Sequence, residues 1–218
     1  MSEQPGGMSN KELERAARES MAGGEHIRER VRELTVQALQ ARKFDYVGFK
    51  DVMKSMTEGI SVGAEERGHD VKHAVSEAFA GLDQAMSKAA QASSLALKEL
   101  TDKSKEFSQT ELKQGLERMR QMENDFLESV RQVSQSASSG VRSEWQELLL
   151  HAQRAGTDTG RVVSQTARDF SARMAGTMSE SAIAGMEAAR QVGDRFAALA
   201  SGFLAGMSEA LKPGEKKK

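Results

Sequence analysis

The sequence predicts an all-α protein, with long amphipathic helices forming an elongated bundle or coiled-coil assembly. Three observations carry that prediction. The only prolines in 218 residues are Pro5 and Pro213, and proline is the residue that most reliably breaks a helix, at about 3 kcal/mol in an interior. Twenty-nine alanines and many Glu, Gln, Lys, Arg and Met residues favour helix, whereas aromatics are 5% and β-branched runs are almost absent. Over most of the chain, apolar residues recur at three- and four-residue spacing, the period of one helix face.

Residues 1–9 read as a disordered N-terminus without the basic region and apolar run of a secretory signal. Ser9-Asn10-Lys11-Glu12 then fits the capping box, in which a hydroxyl and a carboxylate satisfy orphan amides at a helix start. A first helix is expected over 10–42. Ile27, Val31, Leu34 and Ala38 share one face of it, although Gly23-Gly24 weakens the earlier turns. Lys43 to Gly48 breaks the rhythm and reads as a connection.

A long amphipathic region is expected over 49–137. Its first part carries an eleven-residue repeat in 4-3-4 steps: Phe49, Met53, Met56; Ile60, Ala64, Arg67; Val71, Val75, Ala78; Leu82, Met86, Ala89; Ser93, Leu97, Leu100. Eleven residues over three turns keep the stripe on one face of a nearly straight helix, which suits a flat or gently curved partner. Glycines 59, 63, 68 and 81 each cost up to about 1 kcal/mol in a helix interior, so a hinge is expected near 59–68. After a second capping box at Ser108–Glu111 the spacing shortens to a 3.5-residue mean through Leu112, Leu116, Met119, Glu123, Phe126, Val130, Val133 and Ala137. That period favours packing on another helix, and these residues are candidates for self-association.

C-terminal helices are expected over 141–211, interrupted at Gly156-Thr157-Asp158-Thr159-Gly160, the clearest loop in the chain. The last helix, from about Met178, has thirteen successive residues without a charge, Phe196 to Ser208, before the basic tail of 212–218. Such a stretch is too short to span a bilayer but long enough to lie in an interface or an oligomer core. Ala198, Gly202 and Gly206 lie four residues apart within it, a spacing that lets two helix backbones approach closely.

Composition excludes several function classes. Leu, Ile, Val and Phe make up only 40 of 218 residues, a thin core, while the net charge is −1 from 31 basic and 32 acidic residues. Balanced charge argues against a nucleic-acid partner, which selects a basic face. Without cysteine there are no disulfides or thiolate metal sites, and the chain reads as cytoplasmic. No stretch has the length of a transmembrane span. His69-Asp70-Val71-Lys72-His73 has the i, i+4 histidines of zinc hydrolases, but Asp70 replaces the usual Glu and no third ligand follows, so a solvated helix face is the preferred reading. Phosphate loops and nucleophile elbows are missing, so neither enzyme activity nor a cofactor is expected.

The proline-poor helices rich in alanine and methionine, the absence of cysteine, and the eleven-residue stripes ending in a small-residue apolar helix resemble phasins, bacterial proteins that coat polyhydroxyalkanoate granules. The repeat also resembles that of apolipoproteins and lipid-droplet coat proteins. The likeness covers most of residues 49–211 and is one of pattern. It implies a non-enzymatic protein associated with a granule, lipid or membrane surface, and the segment that favours packing on another helix adds the expectation of a homo-oligomer. Ile60, Val71, Leu82, Phe196, Leu199, Phe203, Leu204 and Met207 are the candidate surface-binding residues. The alternative is a structural coiled-coil scaffold that self-associates through Leu112, Leu116, Met119, Phe126, Val130, Val133, Ala198, Gly202 and Gly206.

Overall fold

In a computed structural model the chain is described over residues 8–22, 25–41, 46–103 and 109–177. These residues form α1 (Asn10–Ala22), α2 (Ile27–Ala41), α3 (Tyr46–Arg67), α4 (Val71–Lys103), α5 (Gln109–Ser134), α6 (Ser139–Ala155) and α7 (Asp158–Thr177), with no strand among them. The fold is an all-α bundle.

α1 starts at the first capping box. The Ser9 amide and hydroxyl both donate to Glu12 Oε2 at 2.8 Å, and the Glu12 amide donates back to Ser9 Oγ at 3.3 Å. These bonds hold the Glu12 carboxyl below the ordinary glutamate value. The helix expected over 10–42 is in fact two, α1 and α2, because His26 takes a left-handed φ of 61° and the backbone cannot continue as helix through it. Gly68 at φ 67° and Asp70 at φ 53° divide α3 from α4 in the same way. The eleven-residue stripe therefore passes from one helix to the next between Ile60 and Val71.

The chain divides into two compact units: Met1–Ser87 with Met122–Thr159, and Lys88–Gln121 with Gly160–Lys218. In the first unit α1 and α3 run parallel and nearly touch backbone to backbone. A Cβ at Gly59 would collide with the Glu14 carbonyl oxygen, and one at Gly63 would lie 2.7 Å from that of Arg18. Gly81 of α4 meets α2 similarly, 2.5 Å from the Arg28 carbonyl oxygen. Of the glycines expected to act as hinges, only Gly68 ends a helix. Gly59, Gly63 and Gly81 lie inside helices because neighbouring backbones leave no room for a side chain.

The centre of this unit is aromatic. Phe79 of α4 stacks on Phe126 of α5 at 5.6 Å between centroids and meets the edge of Trp145 of α6 at 6.3 Å. Trp145 and Phe126 are fully buried. Much of the remaining core is small or flexible, including Ala17, Ala64, Ala74, Ala78, Met53 and Met56. Buried Thr35, Thr57 and Ser61 satisfy their hydroxyls by donating to the carbonyl four residues back, at 2.7 to 2.8 Å.

In the second unit Leu97 of α4 packs where Gly115 of α5 leaves space, since a Cβ there would stand 2.6 Å from Leu97 Cδ2. Thr166 of α7 donates to Ser94 Oγ of α4 at 3.0 Å, between buried Val163 and Phe170.

Candidate functional site

The apolar helix faces are the features from which a functional site can be built. The stripe beginning at Phe49 is buried at Met53, Met56, Ile60, Ala64, Val75, Ala78, Leu82, Met86 and Ala89. What covers it is the chain's own set of helices. An isolated helix would leave each large side chain in water at a loss of about 1.5–3 kcal/mol, and folding into a bundle recovers that burial without an outside partner.

Among the surface-binding candidates, Ile60 and Leu82 are 0% exposed and Val71 is half-buried. In the closed bundle Ile60 and Leu82 lie against other helices of the same chain, and Val71 stays partly open to solvent. Phe196, Leu199, Phe203, Leu204 and Met207 lie outside the described residues, as do Ala198, Gly202 and Gly206. In the heptad-like segment Leu116, Met119, Phe126, Val130 and Val133 are all buried within this chain; the side chain of Leu112 is outside the description. The large hydrophobic residues exposed among those described are Val62, Leu95 and Leu150.

Polar groups join the helices around this core. Trp145 Nε1 donates to Ser61 Oγ at 3.0 Å, tying α6 to α3. Lys72 of α4 pairs with Glu147 of α6 at 2.9 Å, which raises the lysine's proton affinity. Between α3 and α5 lies a cleft of about 440 Å³ whose lining includes Lys50, Lys54, Glu58, Asp125 and Glu128. Lys50 Nζ and the buried Asp125 carboxylate stand 3.3 Å apart there. Burial raises the proton affinity of Glu58, Lys54 opposes that shift, and Glu14 of α1 adds to it. The cleft mixes both charge signs.

His69 is not on a helix. It precedes α4 with its Nδ1 2.8 Å from the Arg67 carbonyl oxygen, so the two histidines do not share a helix face. Among the described residues no group of three or more His, Cys, Asp or Glu side chains is placed to hold a metal ion. No helix among them is long and apolar enough to cross a membrane.

Asp83 was missed by sequence reading. Its carboxylate accepts hydrogen bonds from the Asp158 amide at 2.7 Å, the Thr159 amide at 3.1 Å and the Thr159 hydroxyl at 2.7 Å. It thus caps α7 from a different helix, a role with no local signal because the partners are 75 and 76 residues away.

Residues 3–213 match a family model described as a family of unknown function, DUF6781. The chain belongs to the DUF6781 family. Nearly all of this DUF6781 chain lies within the match, including every described helix and the uncharged stretch from Phe196. No curated protein and no solved structure matches it.

Proposed function

We propose that this DUF6781 protein is a non-enzymatic coat for a hydrophobic surface, of a polyester granule, lipid body or membrane, and that it covers its apolar helix faces with its own helices until it meets that surface. One observation carries the reading: an apolar stripe recurs from Phe49 to Leu97 through α3 and α4, and most of its members are buried against helices of the same chain. Small residues and methionines make much of that contact, with polar links between helices. Opening such a bundle at an interface exchanges one apolar environment for another, at little cost in burial. The uncharged Phe196–Ser208 segment is the natural first contact, because its sequence carries no charge to desolvate.

Trp145 provides the test, being the chain's single tryptophan and fully buried. The full-length protein is mixed with a triolein emulsion, the pellet assayed for bound protein, and Trp145 emission and helical circular dichroism recorded. Binding with helicity retained and a change in Trp145 emission is the expected result, with Phe203→Glu binding more weakly. A wild type that stays in the aqueous phase with unchanged emission refutes the reading. Equal binding by Phe203→Glu removes the C-terminal stretch from the contact.

A further inference from the structure

Two contacts inside the first unit fix how α3 and the start of α4 lie. Trp145 of α6 donates through Nε1 to Ser61 of α3 at 3.0 Å, and the same indole packs against Phe79 of α4 with ring centroids 6.3 Å apart. On one unbroken helix Ser61 and Phe79 would stand about 27 Å apart, at a rise of 1.5 Å per residue. A single indole reaches both because the chain folds back between them.

Gly68, His69 and Asp70 make that fold-back. Gly68 takes φ 67° and Asp70 φ 53°, the second being a left-handed position that aspartate tolerates better than most residues. All three are exposed, and nothing lies within 4 Å of the place a Cβ on Gly68 would occupy. His69 Nδ1 stands 2.8 Å from the Arg67 carbonyl oxygen, the acceptor that a continuous helix would offer to the Val71 amide. The joint is held by local backbone geometry and lies outside the core.

The apolar pattern nevertheless runs through it in phase. The buried stripe reaches Ile60 and Ala64 on α3 and resumes at Val75 and Ala78 on α4, while Arg67 and half-buried Val71 between them keep steps of three and four residues. A connection that merely reversed the chain would leave the phase of the second helix free. Here the phase is the one in which Ile60, Ala64, Val71, Val75 and Ala78 share a face of one straight helix, eleven residues making three turns. No proline stands between Tyr46 and Ser87 to prevent such a helix.

We propose that the α3–α4 joint is a two-state switch: folded back in the closed bundle, and helical through Gly68, His69 and Asp70 when the first unit meets an apolar surface, so that the stripe from Phe49 to Met86 is laid on that surface as one continuous face. The role of the surface rests on the coat reading above; the two states of the joint do not.

Both tests use the full chain with Lys54→Cys and Gln84→Cys, each carrying a nitroxide spin label, since the chain has no cysteine of its own. The labels stand about 45 Å apart on one straight helix and closer in the folded-back form. In water the wild-type joint is expected to give the shorter distance. Gly68→Ala with Asp70→Ala disfavours the left-handed backbone and favours helix. Straightened chains then recover their core by exchanging helices with a second copy, and the share of the long distance is expected to rise at least about tenfold, in a dimer fraction. A double variant that folds without the long distance overturns the two-state joint, as does one that fails to fold, because alanine fits the helical state. In the second test the wild-type joint, pelleted with a triolein emulsion, is expected to replace the shorter distance by the one near 45 Å. Bound protein that keeps the shorter distance overturns straightening at the surface. If no protein pellets, the coat reading and straightening at the surface fall together, and the two states of the joint stand or fall on the double variant in water.

Discussion

The indole Nε1 of Trp145 donates a 3.0 Å hydrogen bond to the hydroxyl of Ser61, joining α6 to α3 inside the core of the first unit. Ser61 Oγ in turn donates a hydrogen bond to the Thr57 carbonyl at 2.8 Å, so the hydroxyl is both donor and acceptor where water does not reach. Ser61→Ala strands the indole N–H, and a buried donor without an acceptor costs about 1–3 kcal/mol. Urea unfolding should show that loss. The exposed Ser143→Ala should stay within about 0.5 kcal/mol of wild type.

Glycine substitutions should split by site. Alanine at a helix interior is worth about 1 kcal/mol over glycine, and at Gly140 of α6, with open space around the added methyl, Gly140→Ala should gain about 0.5–1 kcal/mol. Gly59→Ala and Gly63→Ala should instead lose stability. Their methyls meet the backbone of α1, which cannot rotate aside as a side chain would, and overpacking of that kind costs about 1–3 kcal/mol, outweighing the propensity gain. Thermal midpoints of the three variants give the order.

Glu58 sets a pH dependence. Burial holds its folded-state proton affinity above the ordinary glutamate value, so the folded chain binds this proton more tightly than the unfolded chain. Its contribution is therefore fully present below the unfolded value and is lost as pH rises through the raised folded value. Glu58→Gln removes the dependence. The urea midpoint of the variant should improve relative to wild type on going from about pH 4 to about pH 7. A difference that is constant over that window contradicts the assignment.

Phe126→Ala should be among the most damaging single changes in the first unit. The ring is fully buried and stacked on Phe79, and truncating a buried phenylalanine to alanine costs about 3–5 kcal/mol. Near-ultraviolet circular dichroism should lose aromatic signal together with the unfolding midpoint.

Features encoded by neighbours in sequence were legible before the structure. Ser9 and Glu12 announced the start of α1, and the spacing from Phe49 to Leu97 marked the apolar faces of two successive helices, α3 and α4, though not the break between them. The identity of what covers that face was not legible, because periodicity records that a side is apolar and not which helix lies on it. The glycines show the same boundary. Local propensity treats Gly59 and Gly68 alike, yet one lies against the α1 backbone and the other ends α3 at positive φ. Asp83 gave no hint at all, since an acidic residue on a helix reads as solvated unless its distant partners at Asp158 and Thr159 are known.

The two glycine seats on α3 also fix where the bundle is able to give way. Gly59 faces the Glu14 carbonyl and Gly63 that of Arg18, four residues apart on each helix, like two teeth in two notches. A slide by one turn, about 5.4 Å, keeps only one notch filled by glycine. The other tooth then meets Arg67 in one direction or Ser55 in the other, and either Cβ blocks the approach. With Arg18 and Glu66 paired at the rim as well, α1 and α3 travel as one piece, and any loosening of the helices has to start at their other neighbours.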